Sequence, residues 1–468
     1  MCPGRLPKNA LSSDVSPAPD IRGRSSRGLV LATLCLAALI AQLDTSVVNL
    51  ALHPIGRYFE ARVSALQWII DGYNLVYAVL LLTGGLIADL VGRRLVFIVG
   101  AVTFTLASLL CAAAPNVPFL IAGRVLAGLG AALLLPASLA IIRVIWPDPG
   151  ERGHVLGIWA ACNGLAFVIG PAVGGLLIEA FGWRSVFIVV IPLGLAAAAL
   201  AVATLAESAD PHGRDFDLPG QVLGAFVLGG LALAVIEIQH APLIAGAALA
   251  IAAVACPLFA LVERKRGSAA LVPLTLFRIP PFRASVLATT AMTFGMYGVL
   301  FMEPLTWQES GELSALQAGL ALVPMAFVFA LVSPFSGGLS GKVGVRALTS
   351  GGVALIGCGL IVLAASAGQR SLLMTEAGLV LTGFGMGFAT GPLFGLAVGT
   401  VPAARSGTAA ALINVARMVG ATFGVAVLGS VFAAHGGHTG GLRSAMLLGG
   451  LVQLVCAGIA WLEQPPTG

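Results

Sequence analysis

Apolar residues in this chain do not alternate with polar ones. They run on in long blocks that break at short clusters of Gly, Pro, Arg, Asp and Glu. A run of about 20 apolar residues is long enough, as a helix, to cross the hydrocarbon core of a bilayer. Fourteen runs meet that length: 29–52, 67–88, 95–114, 118–142, 154–180, 184–206, 219–239, 241–262, 284–308, 315–338, 346–366, 371–397, 406–432 and 442–462. Within lipid each backbone N–H and C=O needs a partner in its own segment, and a helix supplies it. The pattern therefore predicts an all-α integral membrane protein with 14 transmembrane helices. An even number of crossings places both termini on one side.

The charges decide which side. With the N-terminus in the cytoplasm, the loops and tails on that side hold 18 Lys and Arg, and the opposite loops hold five (Arg57, Arg62, Arg184, Arg370 and Arg443). Cytoplasmic loops carry the excess of Lys and Arg, so both termini are expected in the cytoplasm of a multi-pass cell-membrane protein. Of the 468 residues 58% are hydrophobic and 10% charged, against about 25% charged in a soluble domain. Mean hydropathy is +0.99. The net charge of +5 sits in short loops, so nucleic acid is not an expected partner. The seven cysteines stand singly, without a CxxC pair or a Cys/His cluster, which supports neither a disulfide framework nor a metal site.

Two polar stretches are longer than the other links, Glu207–Pro219 and Glu263–Arg283. They bracket the seventh and eighth spans as an inserted hairpin. The expected organisation is a disordered cytoplasmic tail (1–28), an N-terminal six-helix bundle (29–206), linkers with the hairpin (207–283), a C-terminal six-helix bundle (284–462) and a short tail (463–468). The Gly-rich basic turn Gly84–Arg94 after span 2 has a counterpart, Gly337–Arg346, after span 10. Paired halves are the signature of a transporter that rocks two bundles about a site near the midplane.

Ionisable residues inside the spans mark candidate chemistry, because an unpaired charge at that depth costs at least a few kcal/mol. Counted from the outer ends of their spans, Asp44, Asp71 and Arg124 lie roughly 12, 6 and 9 Å deep at 1.5 Å per residue. Two acids sharing one arginine suit proton coupling, since desolvation and a nearby Arg pull a carboxyl in opposite directions; a static ion pair is the alternative. In the turn after span 2, Gly85 and Gly92 allow a tight bend, and Asp89 is placed to pair with Arg93 or Arg94 as a gating latch. Arg93 and Arg94 also serve topology. In span 5, Gly164, Gly170, Pro171, Gly174 and Gly175 form a small-residue face with a kink, suited to close packing that opens and reseals. Asn49, Tyr73, Glu303, Asn414 and Arg417 are the candidates for a substrate cavity. Glu303 could instead snorkel outward, and Arg417 could be a structural anchor. Glu237 reads as structural or interfacial.

These stretches resemble the fourteen-helix drug:proton antiporter branch of the major facilitator superfamily. Leu43–Leu52 resembles its first-helix signature and Trp68–Tyr73 its second. Gly85–Arg94 resembles the superfamily loop motif, Arg124–Gly130 the helix 4 motif linked to proton transfer, and Gly164–Gly175 the antiporter motif of helix 5. The chain departs from the pattern at His53, Leu90, Ala127, Ala166 and Gly341, and Glu303 brings a charge into a normally apolar stretch.

The resemblance implies a major facilitator fold and a proton-coupled exporter of amphipathic drugs or toxic small molecules, working by alternating access. Protons would be the coupling ion, with no cofactor and no metal, and the protein is expected to be a monomer in the lipid bilayer. Four acids deep in the spans (Asp44, Asp71, Glu237, Glu303) against two arginines (Arg124, Arg417) favour a cationic substrate. The alternative is a same-fold exporter of a neutral or anionic metabolite or a self-made antibiotic. No HExxH, GxSxG or GxxxxGK pattern occurs, so an enzyme is not expected.

Overall fold

The computed structural model describes residues 24–210, 217–267, 270–369, 371–402 and 405–464. Within them the chain forms fourteen helices long and apolar enough to cross a membrane. The first six are α1 (Arg24–Phe59), α2 (Val63–Val91), α3 (Arg93–Ala112), α4 (Val117–Ile145), α5 (Pro149–Phe181) and α6 (Ser185–Thr204). The hairpin is α7 (Leu218–Glu237) and α8 (Pro242–Arg266). The last six are α9 (Pro280–Glu309), α10 (Ala315–Val343), α11 (Val345–Ser366), α12 (Leu372–Gly399), α13 (Ser406–Ala434, with a π turn at Gly424–Leu428) and α14 (Thr439–Glu463).

All fourteen expected spans are present, but several boundaries move. Helix α1 begins at Arg24, so residues 24–28 are helical rather than tail, and it continues to Phe59. At its C-terminal end Tyr58, Phe59 and Trp183 stack edge to face. At the other end of the chain, Glu463 is still helical. Residues 1–23 and 465–468 of the expected tails lie outside the described residues, as do 211–216 and 268–269 of the linkers and Arg370.

Successive helices run antiparallel, so the molecule has two ends. The A end carries the α1–α2 turn, and the B end carries the α2–α3 turn. Polar ties between α1–α6 and α9–α14 gather at the A end. Gln308 Nε2 of α9 donates to the Leu50 carbonyl of α1 (3.1 Å), and the Leu316 amide of α10 donates to Glu179 of α5 (3.3 Å). At the B end a Cβ built on Gly153, Gly157 or Gly164 of α5, or on Gly337, Gly338 or Gly341 of α10, would meet nothing within 4 Å. Arg143 of α4 still reaches α13 at Gly407 there. The structure is thus sealed at the A end, with α5 and α10 uncrowded at these glycines toward the B end.

The hairpin does not merely hang between the halves. Helix α7 lies on α2, where Gln221 bonds to the Thr83 hydroxyl and the Val79 carbonyl, and Trp68 Nε1 donates to Glu237 (3.1 Å). It also reaches α13, where Ser430 donates to the Val235 carbonyl (2.9 Å) and receives Gln239 on its own carbonyl (2.7 Å).

Candidate functional site

Three helices meet around Arg124. Its Nη1 lies 2.7 and 3.0 Å from the two carboxylate oxygens of Asp44, and its Nε donates to the Ile69 carbonyl of α2 at 3.0 Å. The Tyr73 ring covers the guanidinium, 4.8 Å from its carbon. Asp44 and Arg124 are each 1% exposed. In a low-dielectric enclosure such a pair holds only if its geometry is good and its remaining donors are used, and here carboxylate, carbonyl and ring share that work. The close approach of α4 to α2 that permits it falls at Gly128, whose absent Cβ would lie 2.5 Å from the Tyr73 carbonyl.

Asp71 is not part of that pair. It is fully buried on α2, and neither carboxylate oxygen has a hydrogen-bond partner. Asn74, one turn on, sits beside it without closing a bond. The expected sharing of Arg124 by both acids is therefore corrected. The rotation of α2 brings the Ile69 carbonyl, not the Asp71 carboxylate, to the guanidinium, and Asp71 is left needing either a proton or a cation to compensate it.

The remaining candidates divide. Asn49 is buried and donates to the Thr45 carbonyl (2.8 Å), so it does not face open space in this state. Glu303 neither snorkels outward nor faces open space. It is 1% exposed within the packed A-end half of α9, with Oε1 unpartnered. Glu237 serves the Trp68 bond. Asn414 and Arg417 are half-buried on α13, and Arg417 is close enough to Tyr77 of α2 and Tyr297 of α9 to act on both electrostatically.

The loop motif forms a local clasp. Arg93 pairs with Asp89 (2.7 Å), four residues apart, while Arg94 donates to the Val202 carbonyl (2.9 Å). Glu207 then caps the start of α3, accepting the Arg94 and Leu95 amides at 3.1 Å each. Gly92, with φ +133°, makes the turn that lets this happen. The partners are all within the first half and its linker, so the motif does not bridge the halves in this state. Glu207 went unnoticed in sequence because it stands in a polar linker far along the chain. Gly85 is not the point of tight packing; that is Gly84, whose Cβ would strike the Ala132 carbonyl.

Helix α5 does bridge the halves. Gly170 and Gly174 lie against Ser46 and Val47 of α1, while a Cβ on Gly175 would stand 2.6 Å from the Ala315 carbonyl oxygen and the Leu316 Cα of α10. Gly319 of α10 abuts the Pro171 carbonyl in return. Gly164, expected to share this packing, faces open space instead. A second seal was not foreseen: Gln67 of α2, 1% exposed, donates to the Val425 and Ala426 carbonyls of α13 at 2.9 Å each. Both carbonyls lie in the π turn and also receive the Gly429 amide, so Gln67 takes a second lone pair on each.

The family model described as the Major Facilitator Superfamily matches residues 34–425. The chain belongs to this superfamily. Its helices overlay a solved bacterial homologue of the human lysosomal transporter Spinster with a TM-score of 0.69 at 18% identity, covering 94% of this chain and 97% of that one. Among curated superfamily relatives it is 36% identical over 409 residues to the multidrug resistance protein Stp of Mycobacterium tuberculosis, covering 87% of this chain and 76% of Stp. It is 33% identical over 450 residues to the methylenomycin A resistance protein of Bacillus subtilis, covering 94% and 95%. As a superfamily member it is a multi-pass membrane transporter of small molecules and not an enzyme.

Proposed function

We propose that this chain is a proton-coupled exporter of amphipathic small molecules at the cell membrane, with both termini cytoplasmic and protons as the only coupling ion. The carrying observation is the contrast between two enclosed acids on adjacent helices. Asp44 is compensated by Arg124, while Asp71 has no cationic partner among the described residues and only Asn74 beside it. A site that must find a proton or a cation for one buried acid has the chemistry that coupling requires. The relatives named for multidrug and antibiotic resistance support the export of toxic compounds. In this reading the B end is cytoplasmic, because the Lys/Arg excess lies there, and the described state faces inward. When the A end opens, a proton reaches Asp71, and the protonated carrier returns.

The test is transport in proteoliposomes under an imposed pH gradient. Wild type should accumulate a fluorescent amphipath only while the gradient lasts. Asp71→Asn should bind the same compound but lose gradient-driven accumulation by at least tenfold. Wild-type accumulation rates in both Asp71→Asn and Asp44→Asn would sink the proton-coupling role of these acids.

The charge of the substrate needs separate treatment. The case for a cation counted Glu237 and Glu303, and neither faces the open space between the halves. One specific observation favours the neutral or anionic reading, and it concerns Arg417.

A further inference from the structure

Arg417 is an uncompensated cation at the membrane midplane. Counted from Ser406, the B end of α13, it lies about 16 Å into the span at 1.5 Å per residue, roughly half of a 30 Å hydrocarbon core. That depth is beyond the reach of a snorkelling side chain. Among the described residues no carboxylate lies within ion-pair distance of it, and its Nε is enclosed without a hydrogen-bond partner. It is close enough to phenols of both halves, Tyr77 of α2 and Tyr297 of α9, to act on them electrostatically. Asn414, one turn nearer the B end, donates to the Ala410 carbonyl and leaves its own amide oxygen free of that bond.

The charge on Arg417 stands in contrast to that on Arg124. The same residue type within a span of the first half has a carboxylate, a carbonyl and a ring. Arg417 has two phenols, which are neutral dipoles. A guanidinium keeps its charge under all physiological conditions and presents a planar fork matched to carboxylate, sulfonate or phenolate oxygens. A half-buried intramembrane arginine without an internal carboxylate is suited to take an anion.

We infer that the substrate is an amphipathic organic anion, whose charged end is taken by Arg417 and whose aromatic or apolar body lies beside Tyr77 and Tyr297. This deepens the exporter reading and rests on it. The position also joins binding to coupling. Tyr77 neighbours Tyr73 (ring centroids 6.0 Å apart), and Tyr73 lies on Arg124, so two tyrosines span the space from the substrate's arginine to the Asp44 pair.

The test is equilibrium binding by purified full-length protein in detergent, read by fluorescence anisotropy with two xanthene dyes, anionic fluorescein and a cationic rhodamine methyl ester. Wild type should bind fluorescein at least tenfold more tightly. Arg417→Gln should erase that preference by weakening fluorescein alone, and Arg417→Lys should restore part of it. Tighter binding of the cation by wild type would overturn the inference without any variant. So would unchanged fluorescein affinity in a folded Arg417→Gln protein. Binding is measured without a gradient, so a failure of proton coupling leaves this result intact, and the reverse holds.

Discussion

Arg124 holds its place through three different contacts, and removing it strands a buried carboxylate. Breaking one side of a buried ion pair typically costs about 3–5 kcal/mol. Arg124→Ala should therefore lower the midpoint of thermal unfolding in detergent far more than the double change Asp44→Asn with Arg124→Gln, which removes both charges. Equal losses would mean that the Ile69 and Tyr73 contacts, not the ion pair, carry the stability. That Asp44, Asp71 and Arg124 are ionisable groups set within the spans was legible in sequence, and all three are buried. Which acid pairs with the arginine was not legible, because that depends on helix rotation, and a rotation of one residue exchanges a carbonyl for a carboxylate. Gln67 was illegible for a different reason. A glutamine near a helix start looks like any interfacial polar residue until the carbonyls that receive it, 358 and 359 positions away, are placed beside it by the fold.

At the level of elements, the A-end seal is a contact of backbones. Helices α5 and α10 meet at Pro171, Gly175, Ala315 and Gly319, where no side chain intervenes. Small residues at such a crossing let helices approach closely in lipid, and a branched side chain would wedge them apart. Gly319→Val should disfavour the sealed state, slow transport at least tenfold, and raise alkylation of a cysteine placed by Leu50→Cys from the A side. Unaltered alkylation would show that α5 and α10 are not the moving seal. The small-residue run in α5 was readable in sequence, and so was the kink-forming Pro171. Its division of labour was not: Gly170 and Gly174 serve α1, Gly175 serves α10, and Gly164 serves neither in this state. The hairpin was equally readable as an insertion. Its bonds to both α2 and α13 were not, since Gln221, Glu237 and Gln239 are ordinary polar residues until a partner is known.

Across the whole molecule, the sign of the substrate charge fixes how the membrane potential acts on the cycle. Suppose one proton enters for each molecule exported. A monovalent cation leaving as the proton enters moves no net charge, and the potential neither helps nor hinders. An anion leaving as the proton enters moves two positive charges inward in electrical effect. Each charge is worth about 2.3 kcal/mol per 100 mV, so an inside-negative potential of that size would add roughly 4.6 kcal/mol to the driving force. The anionic substrate inferred from Arg417 would place this transporter in the second case. Proteoliposomes loaded with potassium and treated with valinomycin impose such a potential without a pH gradient. Movement of fluorescein should then accelerate severalfold in the direction the potential favours, and reverse with the sign of the potential. Movement that ignores the potential but follows the pH gradient would identify an electroneutral exchange. It would return the cavity to a cationic substrate, with Asp71 rather than Arg417 as its counter-charge.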